Sequence, residues 1–202
     1  QQWVGRTETA FDTVTPIPCA ALAATLDYDP VRPPDGTPLP ALWHWLYFLP
    51  LVRRSEIGPD GHARRGAFLP PVPLPRRMWA GSQIEFRGPL LIGDALTRIS
   101  TIDRVTQNEG RTGPLVFVKV RHDIRRADDP QIALTEFHDI VYREAAKPGA
   151  TAPPPQAAPA RTRTTGRPIA RASVASCCSR PGQPKVSLMY SSPCRKPQAP
   201  AA

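Results

Sequence analysis

Residues Leu39–Pro50 read LPALWHWLYFLP, with two Trp, one Tyr, one Phe and four Leu in twelve positions and His44 in their midst. The run is far shorter than the ~20 apolar residues that a membrane span requires. Pro40 suits a first helical turn, where its missing N–H would be unpaired anyway, and Pro50 suits a stop. Apolar side chains would appear on every side of such a helix. The segment is therefore expected to be buried, a central helix wrapped by other structure rather than laid on a surface.

The wrapping is supplied downstream. From Gly81 the apolar period changes to two. Ile84 and Phe86 alternate, PLLIGD makes a turn-containing link, and Leu96–Val105 reads as a strand. Asn108–Gly113, NEGRTG, is a hairpin-like turn. Val116, Val118, Val120 and His122 then alternate against Leu115, Phe117, Lys119 and Arg121 in the clearest strand of the chain. ADDP at Ala127–Pro130 turns it back into a last strand, Ile132–Arg143. Upstream, Thr15 can cap a small apolar helix with Pro16 at its first position, ending near Asp27. Tyr28–Leu39 is a Pro-rich loop, and Val52–Gly81 is a long connection whose prolines at 70, 71, 73 and 75 favour an extended path. Its aromatic and apolar content argues for order, because connections of that length are functional or disordered. A central helix embraced by a curved antiparallel sheet is the hot-dog arrangement, an α+β fold.

The formal charge of +9 suggests a nucleic-acid partner until it is located. Nine of the 26 basic residues lie beyond Glu144 with no acid among them, and the other 17 balance the 17 acids of residues 1–144. The body is formally neutral, which argues against nucleic acid as the partner. Past Glu144 there is no Phe or Trp, and eleven of the 27 prolines fall there. The expected organisation is a folded domain over 1–144 and a disordered Pro/Ala/Arg-rich tail over 145–202. The tail also has the composition of a GC-rich gene read out of frame. Cys19 is the only cysteine of the body, so no disulfide framework exists there and a reducing, intracellular setting is expected, cytoplasmic or mitochondrial in a eukaryote. Cys177, Cys178 and Cys194 lack zinc-site spacing, and the tail has no His, so no metal is expected. No membrane partner is expected either.

LPALWHWLYFLP, DGHARRGAFLPPVPLPRRMWAGS, PLLIGD, GRTGPLVFV and HDIVYRE together resemble the first half of MaoC-like double hot-dog dehydratases, over about Trp3–Glu144. That group includes mesaconyl-CoA and itaconyl-CoA hydratases, and the mitochondrial 3-hydroxyacyl-thioester dehydratase is related. The resemblance implies reversible addition of water to an enoyl-CoA or enoyl-carrier-protein thioester without a cofactor. It also implies two hot-dog halves, joined in one chain or as a dimer. In the complete family proteins a motif Asp-x-Asn-Pro-x-His lies in the second half. Here Asp27-Tyr28-Asp29-Pro30-Val31-Arg32 aligns with it, Asp29 replacing Asn and Arg32 replacing His. Arg cannot exchange a proton near neutral pH, so Asp27 lacks its partner at the matching position. The expected role of the chain by itself is a half that shapes the acyl pocket and pairs with a catalytic one.

Asp27 is thus a remnant catalytic acid or a turn residue closing a helix. His44 is a stand-in proton donor or a hydrogen-bonded core histidine. Trp45, His62, Arg64, Arg76, Arg77 and Trp79 are the candidate substrate contacts. His62 with Arg64 and Arg65 could hold phosphates of the carrier arm, since guanidinium groups bind phosphate bidentately, or face solvent or the missing half. Arg76, Arg77 and Trp79 could instead anchor the loop by pairing with body carboxylates.

Overall fold

The computed structural model describes residues 2–110, 113–145 and 185–189, the last by their backbone. Five antiparallel strands, β1 (Thr7–Thr13), β2 (Arg76–Phe86), β3 (Ala95–Gly110), β4 (Gly113–Arg126) and β5 (Leu134–Arg143), lie in the order β1-β3-β4-β5-β2. This is the hot-dog sheet. Strands β3, β4 and β5, with the end of β2 at Ile84 and Phe86, are those that the alternation of apolar residues marks out. β1 carries TETAFDT, with no residue buried, and no apolar rhythm announced it. A sixth strand, β6 (Lys185–Met189), pairs antiparallel with β2 along Gly81–Glu85. These five residues lie within the stretch 145–202 for which the sequence led to an expectation of disorder. The rest of 146–202, including Cys177, Cys178 and Cys194, lies outside the described residues.

The helix of the fold is α1, Pro16–Thr25, with Thr15 before it and Pro16 at its first position as expected. Leu39–Pro50 is not helical beyond one 3-10 turn, Trp43–Leu46. The expected all-round burial holds only in part: His44, Tyr47 and Phe48 are buried, whereas Trp45 and Leu49 are 44% and 65% exposed, and the backbone is claimed by neighbours. Phe48 N–H donates to Asp12 Oδ2, and the Tyr47 hydroxyl donates to Thr15 O at 2.7 Å while meeting Cys19 Sγ at 3.2 Å. Leu42 and Phe48 take left-handed backbone angles, φ 73° and 57°, which no α-helix accommodates.

Two apolar clusters share the inner face of the sheet. Leu96, Ile124, Leu134 and Ile84 pack with Val14, Cys19, Tyr47 and Phe48. Ile102, Val118, Val120, Ile140 and Tyr142 pack with Val72 of the long connection. Arg65 holds that connection in place by donating to the carbonyls of Val72 (2.7 Å), Leu74 (2.5 Å) and Pro75 (2.8 Å). Ordered Pro-rich chain lacks its own backbone donors, so its free carbonyls are natural acceptors for a guanidinium.

A polar stripe under Leu39–Pro50: the candidate active site

Between the apolar clusters the register lays a polar stripe across the sheet. Ser100 of β3 faces His122 of β4, which faces Glu136 of β5. One step along the same face, His138 of β5 faces Ser82 of β2. Side chains alternate across a strand, so the five point to the side on which Leu39–Pro50 packs. A bulge between Trp79 and Gly81 interrupts the β2 register. Its extra residue turns Trp79 to the same side as Ser82, and the indole Nε1–H donates to Ser82 Oγ at 3.1 Å.

Glu136 is the hub. Its Oε1 accepts from the Ser82 hydroxyl at 2.7 Å. Its Oε2 accepts from Trp45 Nε1–H at 3.0 Å and meets His44 Nε2 at 3.4 Å. Burial by itself pushes this carboxyl up, but the bonds from His44, Trp45 and Ser82 outweigh it and hold it at about 2. Glu136 is therefore ionised at neutral pH and too weak a base to activate water. His122 is the opposite case. Burial brings it down to about 4, so the ring is neutral, with Nδ1 2.8 Å from Ser100 Oγ. Burial lowers His138 as well.

These groups line a cavity of about 410 Å³ walled by His44, Trp45, Tyr47, Phe48, Trp79 and Arg98, with His122, Glu136 and His138 as polar floor. Aromatic walls with a few convergent polar groups are the make-up of a small-molecule site. A larger depression of about 760 Å³ lies on the other face of the sheet. Its charges are already matched, Arg87 to Glu85 at 3.1 Å, Arg121 to Asp123 at 3.0 Å and Arg126 to Asp129 at 2.9 Å. Among the described residues no group of three or more His, Cys, Asp or Glu is arranged to hold a metal ion, and no helix is long and apolar enough to cross a membrane.

Of the residues singled out in the sequence, the structure brings His44, Trp45 and Trp79 together at this cavity. His44 is buried in a hydrogen bond to Glu136, and its Nδ1 has no partner. Asp27 is elsewhere, exposed just past α1 with φ 62°, the geometry of a turn residue. His62, Arg64 and Arg76 are exposed and do not line the cavity. Arg77 Nε lies 3.9 Å from Asp60 Oδ2, a carboxylate of the long connection that Arg65 also reaches at 3.3 Å. Arg65 is thus occupied with the loop rather than free for phosphate. Arg98, His122, Glu136, His138 and Ser82 were not singled out. The alternation that turns His122 inward was the one available signal.

The model of the hydroxyacyl-thioester dehydratase type 2 family matches residues 42–173, and the chain belongs to that family. The match begins inside Leu39–Pro50 and continues past Glu144. Mesaconyl-C(4)-CoA hydratase of Chloroflexus aurantiacus is 46% identical over 153 residues, 76% of this chain and 53% of its own length. The chain spans about half the length of that curated relative. Among solved structures, it aligns with the C-terminally truncated HadBC complex of Mycobacterium tuberculosis, a (3R)-hydroxyacyl-ACP dehydratase, at 15% identity and TM-score 0.48, over 70% of this chain and 98% of that one. It also aligns with R-hydratase PhaJ1 of Pseudomonas aeruginosa at 14% identity and TM-score 0.38, over 75% and 90%.

Proposed function

We propose that this chain is the acyl-binding half of an enoyl-thioester hydratase/3-hydroxyacyl-thioester dehydratase, working with a second hot-dog half, from another copy or another segment, that carries the acid–base pair. The observation behind this reading is the aromatic cavity beneath Leu39–Pro50, whose lining among the described residues does not include the Asp27–Arg32 counterpart of the family's acid–base motif. Hydration adds hydroxide to the β-carbon and a proton to the α-carbon, so it needs one group to take a proton and one to give it. Glu136 is bound by three donors and held near 2, which makes it an organiser of His44 and Trp45. Asp27, the counterpart of the family's acid, is exposed outside the cavity and is followed by Arg32 where that motif has His.

Trp45, Trp79, Tyr47 and Phe48 would enclose the acyl group. The phosphates of a CoA or carrier-protein arm fall to the exposed His62, Arg64 and Arg76, with Arg77 held back by Asp60. The family name and the hydratase activity in the relative's name favour this reaction class over a simple lipid-binding role.

The test is hydration of crotonyl-CoA, followed by loss of the conjugated thioester absorbance, by the full chain alone and with a hot-dog half bearing the intact motif. No turnover alone, and turnover with the added half above that of the added half by itself, is expected. Turnover by the chain alone that Asp27→Asn or His44→Ala abolishes would overturn the division of labour.

A further inference from the structure

On the face of the sheet turned away from the cavity, the end formed by the start of β2 and the end of β5 carries positive charge that nothing in the fold matches. Side chains alternate along a strand, so Phe117, Lys119, Asp139, Val141 and Arg143 point to this outer face. The register sets them in three rows. In the middle row Phe117 of β4 faces Val141 of β5, which faces Met78 of β2, and all three are half-buried. On one side of that row Arg143 of β5 faces Arg76 of β2. On the other, Arg104 of β3 faces Lys119 of β4, which faces Asp139 of β5. Like charges directly opposite each other destabilise a sheet, and two such pairs stand here. Asp139 is the one carboxylate in the three rows, and Lys119 takes it at 3.0 Å. Among the described residues Arg76, Arg104 and Arg143 form no ion pair, and neither do Asp103 and Glu144, their acidic neighbours in sequence. Elsewhere in the fold arginines meet a carboxylate, Arg65 and Arg77 with Asp60 and Arg126 with Asp129.

Two positive rows with an apolar row between them describe the partner. Arg143 and Asp139 are four positions apart on β5, so the outer rows stand about 13 Å from each other at a strand rise of about 3.3 Å per residue. An α-helix with its side chains is about 10–12 Å across. A helix whose apolar stripe is flanked by acids on both sides matches that spacing. Its stripe would cover Phe117, Val141 and Met78, and its carboxylates would meet guanidinium groups, which bind them bidentately. A small anion would answer one pair of charges and leave the apolar row bare.

We propose that this outer face is a docking surface for an acidic amphipathic helix of a partner protein. The helix seats on Phe117, Val141 and Met78, with its carboxylates toward Arg76 and Arg143 on one side and toward Arg104 and Lys119 on the other. The surface lies across the sheet from the cavity and is independent of the acyl-pocket reading.

The probe is a labelled, stapled helical peptide of about 14 residues, long enough at about 1.5 Å per residue to cross four strands. It carries Leu at every third or fourth position and Glu on both flanks, and its binding to the full chain is followed by fluorescence anisotropy. It should bind at least about tenfold more tightly than the same peptide with Lys in place of Glu, or with Ser in place of Leu. Arg143→Glu and Arg104→Glu should each weaken it about five- to tenfold. Neither variant should melt lower than the parent, because each turns a like-charge pair into an attractive one. Equal binding of the three peptides, or binding that both variants retain unchanged, overturns the proposal. Tighter binding of an oligouridylate than of the Glu-flanked peptide also overturns it, in favour of a nucleic-acid partner. So does a variant that melts lower than the parent, since these arginines would then have partners inside the fold.

Discussion

Glu136 and His122 face each other across β5 and β4, and their environments push both below their ordinary values, for different reasons. For Glu136, burial raises the carboxyl but the His44, Trp45 and Ser82 bonds bring it from 4.5 down to about 2. Its contribution to stability is therefore complete above about pH 4.5 and is lost as pH falls toward 2. For His122, burial disfavours the imidazolium and lowers it from 6.5 to about 4. The unfolded chain takes up that proton first, so stability also falls between pH 6.5 and 4 and is unaffected by this group above 6.5. The two windows are each worth on the order of 3 kcal/mol and lie end to end. Denaturant melts from pH 7 to pH 3 should show a continuous decline. Glu136→Gln should lose about 1.5–3 kcal/mol at pH 7, because its amide turns a donor toward partners that are themselves donors; it should flatten the part below pH 4.5 and deepen the His122 part, since the carboxylate that favours the imidazolium is gone. A flat profile in the unaltered chain would contradict the assignment. None of this stripe was legible residue by residue. Ser82, Ser100, His122, Glu136 and His138 come from four strands, and only the register of the sheet makes them one group. His44, Trp45 and Trp79 were legible because aromatic residues beside a histidine stand out in composition alone.

Leu39–Pro50 shows how a sequence can mark a segment as apolar and leave both its shape and its exposed side unread. All-round hydrophobicity says that a segment is buried, and it does so here through His44, Tyr47 and Phe48. It does not say where the backbone bonds go. Trp43, Trp45 and Tyr47 N–H groups reach back three residues, to Pro40, Leu42 and His44, while Phe48 N–H leaves the segment for Asp12. The Tyr47 hydroxyl ties it to α1 through Thr15 O and Cys19 Sγ. Burial, then the bond to Cys19, raises that phenol well above its usual value, so the hydroxyl remains a donor throughout the accessible pH range. Tyr47→Phe removes both contacts and leaves the Thr15 carbonyl to find water. It should cost about 1–2 kcal/mol in denaturant unfolding with an unchanged m value. An effect below experimental error would mean that packing alone holds the segment. The long connection was easier to read, since four prolines in six residues allow little but extended chain; what they could not reveal was that Arg65 would serve as its clamp.

At the scale of the molecule, the strands that alternate strongly, β3, β4 and β5, gave the sheet away in the sequence. β1 did not, because it joins β3 at the edge with its side chains mostly in solvent. Its position nevertheless matters, since Asp12 at its end fixes Phe48 over Arg98. A chain that spans about half the length of its curated relative and holds a cavity with aromatic walls and a polar floor fits the acyl-binding role proposed above. The chain contains four histidines. His44, His122 and His138 line the cavity, and His62 is exposed on the long connection. NMR of the full chain with labelled histidine rings, titrated with crotonyl-CoA and separately with CoA, reads the site directly. Crotonyl-CoA should move the resonances of His44, His122 and His138, whereas CoA alone should reach His62 and leave those three in place. Three cavity histidines that stay still at saturating crotonyl-CoA, or that respond equally to CoA alone, would contradict an acyl site beneath Leu39–Pro50.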